Sequence, residues 1–170
     1  IPDQVNETIN YLGQSYAFIW QSIKSDILFN GNNLSNNSEF DHYLKRFGYT
    51  FKNENRELGG YAILKNKKIS LIMDVGNSPN LNFSKDYQSG AMSFEIISNG
   101  KKLITNCGYY DKKNIKLKQL SKSTATHSAL SIDDHSICHF KKINEHNLIF
   151  KKELKILKKN IVFEKKYWKI

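Results

Sequence analysis

Val5, Ile9, Leu12, Tyr16, Ile19 and Ile23 recur at steps of three and four residues, so the chain opens on the apolar stripe of an amphipathic helix. Pro2 suits the first turn of that helix, where its missing N–H costs nothing. The stripe needs a partner, either a sheet later in the chain or helices outside this sequence. A second, short helix is predicted over Ser38–Arg46, with Ser38 as cap, Asp41 early, Lys45 and Arg46 late and Gly48 as the stop. The Gly- and Asn-rich stretch 30–37 between the two reads as a loop.

Beyond Gly48 the pattern becomes short β-rich runs, at 60–64, 69–75, 91–98, 102–106, 127–132, 136–140, 147–150 and 161–164. Met92, Phe94 and Ile96 alternate with Ser93, Glu95 and Ile97, as in a strand with one apolar face. Asn66 with Lys67, Asn99 with Gly100, and Asp133 with Asp134 mark tight turns, and such short links join antiparallel neighbours. The predicted fold class is therefore mainly β, an antiparallel β-sandwich preceded by one or two helices. Two polar segments, 76–90 and 108–122, are longer than ordinary connections and are read as loops, where function often resides. The tail from Lys151 to Lys169 interleaves lysines with Leu154, Ile156, Leu157, Ile161 and Val162 and is expected to form edge strands.

Composition narrows the classes. A 170-residue chain is long enough for one domain with a real core. Its 12% aromatic content and two prolines exclude a disordered tail. The formal charge of +10 favours polyanionic partners, although a composition rich in Lys, Asn and Ile accounts for it equally well. No nucleic-acid-binding motif accompanies the charge, so no nucleic-acid partner is expected. No apolar run approaches the length of a membrane span. Cys107 and Cys138 lie outside any C-x-x-C pair and are read as small core residues; an oxidising compartment would permit a disulfide, which two cysteines alone do not establish. Ile1 reads as an internal residue of a longer protein.

The residues that draw chemical attention are Asp86 and Gln88 at the entry to one strand, Asn106 leaving its hairpin partner, and His127. Pairing across Asn99-Gly100 sets Gln88 and Asn106 at one end of a sheet, where His127 joins them if its strand is a neighbour. Two amides and an imidazole suffice for a weak metal site or a polar sugar contact, but on residue types alone a structural role is the simpler reading. His135, His139 and His146 lack ligand spacing and are read as surface residues. Tyr109 and Tyr110 could stack on a sugar ring or simply pack at a rim.

Three runs occur together and in order: Ser89-Gly90-Ala91-Met92-Ser93-Phe94-Glu95, then Asn106-Cys107-Gly108, then Ser123-Thr124-Ala125-Thr126-His127-Ser128-Ala129-Leu130. With Leu28-Phe29-Asn30-Gly31 and Gly59-Gly60-Tyr61 ahead of them, they resemble the C-terminal domain of the heparinase II/III-like family over about residues 12–140. The resemblance implies an α/α toroid followed by a β-sandwich, with residues 1–26 as the last helix of a helical domain that lies outside this sequence and 27–170 as the sandwich. It also implies β-elimination on uronic-acid-containing acidic polysaccharides, in the periplasm or cell envelope. The alternative is a non-catalytic carbohydrate-binding or structural sandwich.

By the same resemblance the family's catalytic His falls at Asp86, and its metal ligands fall at Gln88, Asn106 and His127, of which only His127 keeps its residue type. Asp86 and His127 are then the catalytic candidates, Tyr109 and Tyr110 the substrate-binding ones, and Gln88, Asn106 and His127 the metal site. Two neutral amides in place of ionic ligands imply that a divalent metal, zinc or calcium, is held weakly or lost. A carboxylate at 86 is a poor base for a carbon acid unless burial raises its pKa, and the groups that the resemblance assigns to the helical domain lie outside this sequence, so this piece alone is expected to be inactive.

Overall fold

The computed structural model describes residues 2–31, 38–46, 48, 56–110, 114–143, 148–163 and 168–169. Its first helix, α1 (Asp3–Tyr16), runs directly into a π-helical turn over Ala17–Gln21. The second, α2 (Ser38–Arg46), has the predicted bounds, and Gly48 follows it at φ +73°, a left-handed value at which glycine carries no steric penalty. The chain then forms one antiparallel sheet of five strands in sequence order: β1 (Glu57–Leu58), β2 (Tyr61–Lys65), β3 (Ile69–Asp74), β4 (Phe94–Ser98) and β5 (Lys101–Ile104). Two hairpins follow, β6 (Phe140–Lys142) with β7 (Leu148–Phe150), and β8 (Val162–Phe163) with β9 (Trp168–Lys169). The architecture is mainly β and antiparallel, with a few helices.

Register explains the core. Ile63 pairs with Ile72 and Ile72 with Glu95, which puts these side chains on one face together with Ile97, two residues further along β4. Phe18, Ile23, Ile27 and Phe29 cover that face and form one buried cluster with Ile63, Ile72 and Ile97. The end of the first helix thus packs on the sheet across the boundary expected at residue 26. The start of the same stripe does not, since Val5 and Leu12 remain exposed. Glu95 puts a buried charge on the core face. Its Oε1 accepts from Leu28 N (3.1 Å), Thr105 Oγ1 (2.9 Å) and Asn106 N (3.0 Å), and its Oε2 lies 3.0 Å from Lys102 Nζ. A buried carboxylate is tolerated only with donors of this number, and here they tie three chain segments together.

The turns at 66, 99 and 133 form as expected. Asn66 Oδ1 accepts from the N–H groups of Lys68 and Ile69, and the pairs Asn99-Gly100 and Asp133-Asp134 all have positive φ, as two-residue hairpin turns require.

Several strand limits differ from the sequence reading. The run expected from 91 begins only at Phe94, because Met92 has φ +61° and Ser93 N closes a turn on Gly90 O. The run expected to reach 106 ends at Ile104, after a register shift beside Ile96 and Ile97. No strand forms over 127–132. Thr124–Thr126 is a 3-10 turn, His127 N bonds back to Thr124 O, and Leu130 and Ile132 are exposed, with only an isolated bridge from Ile132 to His135. The strand expected over 136–140 starts at Phe140. The loop read over 108–122 holds a helix, α3 (Ile115–Ser121), because Asn114 Oδ1 accepts from Lys116 N and Leu117 N and so caps it. Among the described residues of the lysine-rich tail, only Val162–Phe163 and Trp168–Lys169 are strands. Residues before them are fastened by single bonds such as Leu154 N to Ser78 Oγ (2.8 Å) and Ile156 N to Asn77 Oδ1 (2.7 Å). Both cysteines are free thiols, and Cys107 is exposed rather than part of the core, while Cys138 is buried beside Tyr87. His135 and His139 are exposed as expected; His146 lies outside the described residues.

Candidate functional site

Gln88, Asn106 and His127 do meet at one end of the sheet, although no strand carries His127 there. All three are buried. Gln88 Nε2 donates to Gly108 O (2.8 Å) and Ser121 O (2.6 Å), and its Oε1 accepts from Gly31 N (3.1 Å). His127 Nε2 lies 3.1 Å from the same Ser121 oxygen; a carbonyl can only accept, so Nε2 carries the proton. Asn106 Oδ1 accepts from Ser128 N (3.1 Å) and Ser128 Oγ (3.2 Å), and Cys107 N bonds to Thr126 O (3.2 Å). Burial pushes the His127 pKa below 6.5, and the Ser121 bond offsets that only in part, so the ring is neutral at pH 7.

This end of the sheet does not suit a divalent metal. Gln88 Oε1 and Asn106 Oδ1 are engaged by donors, and His127 Nε2 holds a proton on a carbonyl. Among the described residues no three His, Cys, Asp or Glu side chains are grouped for a metal. Gln88 and His127 are joined instead through the Ser121 carbonyl, and Asn106 is tied to Ser128, the residue after His127.

Asp86 stands apart from this buried network. It is exposed and lines a cavity of ≈ 500 Å³ with Asn30, Gly59, Gly60, Tyr61, Asp74, Gly76, Asn77, Pro79, Phe83 and Tyr87. Two contacts position the Asp86 backbone. Gly31 packs so closely that a Cβ there would lie 2.6 Å from Asp86 O, and Lys122 Nζ donates to the flanking carbonyls of Lys85 and Tyr87, both at 2.6 Å. Lys122 is itself almost wholly buried, and that burial lowers its pKa to about 8 despite the nearby Asp86 charge.

Inside the cavity sits a second carboxylate that the sequence reading missed. Asp74 is 3% exposed; Asn30 Nδ2 donates to its Oδ2 (2.8 Å) and Gly76 N to its Oδ1 (3.1 Å). The same Asn30 Nδ2 reaches Tyr61 Oη (3.1 Å). Burial raises the Asp74 pKa to about 6 against the lowering effect of those two donors. It also raises that of Tyr61, whose hydroxyl stays protonated. The one sequence signal was a carboxylate closing the apolar run Leu71-Ile72-Met73, directly before Val75 and Gly76.

Residues 54–159 match the profile of the family described as heparinase II/III-like, C-terminal. The chain belongs to that family. Among solved structures, "Heparinase III-BT4657 gene product" superposes with a TM-score of 0.63 at 15% identity, covering 80% of this chain and 25% of its own. The heparan sulfate lyase HepC from Pedobacter heparinus gives 0.60 at 15% identity, covering 84% of this chain and 27% of its own. At such identities the likeness is one of fold. This chain therefore spans about a quarter of the length of these structures. No curated protein sequence matches significantly. Among the described residues no helix is long and apolar enough to cross a membrane.

Within this heparinase-like frame, Tyr109 and Tyr110 do not line the Asp86 cavity. They line a separate depression of ≈ 220 Å³ with Leu117, Leu120 and Thr126, and the Tyr109 ring lies 5.5 Å from Lys118 Nζ and 5.7 Å from Lys122 Nζ. Cationic heads at that distance already use the ring face.

Proposed function

We propose that this domain forms the sandwich side of a polysaccharide lyase acting by β-elimination on uronic-acid-containing acidic polysaccharides, with Asp86 facing the substrate. The single supporting observation is that Asp86, at the position where the family resemblance puts a catalytic residue, is exposed on a cavity while Gln88, Asn106 and His127 are buried behind it. The elimination needs a base for the C5 proton, neutralisation of the adjacent carboxylate, and an acid for the leaving oxygen. Asp86 serves here as an accepting or positioning group. The remaining groups come from a helical domain of the same protein, preceding the division we place at residue 26. His127, neutral and buried, holds the Ser121 carbonyl and acts through it rather than on substrate. The cluster around it works without zinc or calcium. Tyr109 and Tyr110 serve a more distant part of the glycan, and the protein operates in the periplasm or cell envelope.

A non-catalytic carbohydrate-binding sandwich is favoured by one observation: the family's ionic positions at 88 and 106 hold amides already hydrogen-bonded within the fold. The readings separate when the full-length protein is given a panel of uronate polysaccharides. Turnover yields an unsaturated product absorbing in the ultraviolet, and Asp86→Ala is expected to lower its rate at least about tenfold. No product across the panel supports the binding module and defeats the lyase reading.

A further inference from the structure

An open groove of ≈ 1070 Å³ shares no lining residue with the Asp86 cavity and has the opposite charge. Lys151, Lys152 and Lys155 line it, together with the apolar side chains of Leu81, Ile137, Leu154 and Leu157. The segment that supplies these lysines, 151–160, also carries Lys158 and Lys159 and a single carboxylate, Glu153. Glu153 is turned to the backbone, its Oε1 accepting from Leu81 N (3.4 Å), and Lys159 is paired with Glu57. Lys151, Lys152, Lys155 and Lys158 are exposed, so the segment presents a concentrated positive charge to its surroundings.

Leu157, between Lys155 and Lys158, is 96% exposed. The backbone just before it is anchored: Ser78 N donates to Leu154 O (3.1 Å), Leu154 N to Ser78 Oγ (2.8 Å) and Ile156 N to Asn77 Oδ1 (2.7 Å). The leucine is therefore held out from a fastened segment. A bare aliphatic side chain set among lysines gains little from a soluble glycan, whose hydroxyls keep their water. It fits the boundary of a bilayer with anionic headgroups, where lysines meet phosphate and an apolar side chain enters the acyl layer.

We propose that the face formed by residues 151–158 and this groove docks on an anionic phospholipid surface. Lys151, Lys152, Lys155 and Lys158 contact the headgroup phosphates, and Leu157 enters the acyl boundary. Attachment of this kind is peripheral and reversible, because it combines one small apolar insertion with a basic patch. It stands whether or not the chain cleaves a glycan.

The test is co-sedimentation of the full chain with vesicles of phosphatidylcholine alone and of phosphatidylcholine with about 30% phosphatidylglycerol. Binding to the anionic vesicles is expected to be at least about tenfold tighter than to the neutral ones and to weaken as salt is added. Leu157→Ser and the double variant Lys152→Glu with Lys155→Glu change exposed side chains, and an unchanged Tm checks that folding is preserved. The first is expected to weaken binding at least about threefold and the second at least about tenfold. No binding to anionic vesicles, equal binding to neutral ones, or wild-type binding by the lysine variant overturns the proposal. Wild-type binding by Leu157→Ser overturns it too, since the lysines then act alone and a soluble acidic polysaccharide is the partner they fit.

Discussion

Gln88 and His127 donate to one acceptor, the Ser121 carbonyl oxygen, at 2.6 and 3.1 Å. A single backbone oxygen at the end of α3 thus joins the lead into β4 to the turn after α3. Asn106 joins the second of these through Ser128. The junction is made of neutral groups whose donors and acceptors are matched, and it needs no ion to hold it together.

Gln88→Ala strips the Gly108 and Ser121 carbonyls and the Gly31 amide of one partner each inside the fold. A loss of about 3 kcal/mol in unfolding free energy is expected in urea titration. In the wild type, added zinc or calcium is expected to leave Tm unchanged. A metal-dependent rise in Tm would show that the cluster opens to bind an ion.

His127 has a folded pKa below its unfolded value of 6.5. The unfolded chain therefore binds a proton that the folded chain refuses, and His127 contributes stability above about 6.5 that is lost as the pH falls. His127→Gln keeps a donor for Ser121 and cannot titrate. Its pH–stability curve is expected to be flatter than the wild type's on the acid side, checked by denaturation at a series of pH values.

Asp74 works with the opposite sign. Its pKa rises from 3.8 to about 6 on folding, so between these values the folded chain holds a proton the unfolded chain has released. Its contribution is complete below pH 3.8 and declines as the pH rises through about 6. Asp74→Asn cannot titrate and keeps one oxygen, enough for one of the Asn30 and Gly76 donors, which use different carboxylate oxygens. It is expected to remove this decline, worth at most about 3 kcal/mol for a two-unit shift, and to do so in the pH window where His127→Gln acts in reverse. A variant with the wild-type slope would place the carboxylate in water.

Lys122→Met keeps the apolar stem and deletes the ammonium that holds the Lys85 and Tyr87 carbonyls. Destabilisation by about 2–3 kcal/mol is expected, since two buried carbonyls lose their charged donor. Amide hydrogen exchange should show faster opening around Asp86 before the sheet itself is affected. Because the folded pKa is lowered to about 8 from 10.5, wild-type stability gains from Lys122 as the pH rises between those values, a gain the Met variant lacks.

The elements with strong local signals were legible in the sequence. Asn99-Gly100 and Asp133-Asp134 form turns because few residue pairs accept positive φ twice in succession, and Ser38–Arg46 carries its own start and stop. The family, too, was carried by short runs that can be read in order. The convergence of Gln88, Asn106 and His127 was anticipated from hairpin geometry, but the means was not. His127 arrives on a turn because the Thr124 hydroxyl on the Ser89 carbonyl and the Ser128 hydroxyl on Asn106 fasten that segment, and such bonds leave no periodic trace.

What the sequence determined by itself is the succession of turns and apolar runs, because backbone sterics and side-chain period act over a few residues. Tertiary structure alone decided that Asp74 and Asp86 share a cavity, that Tyr109 and Tyr110 lie elsewhere, and that Lys122 is buried beneath the Asp86 segment. Each depends on segments far apart in the chain meeting in space. The desolvation that moves the pKa values of Asp74, Lys122 and His127 begins only when they meet.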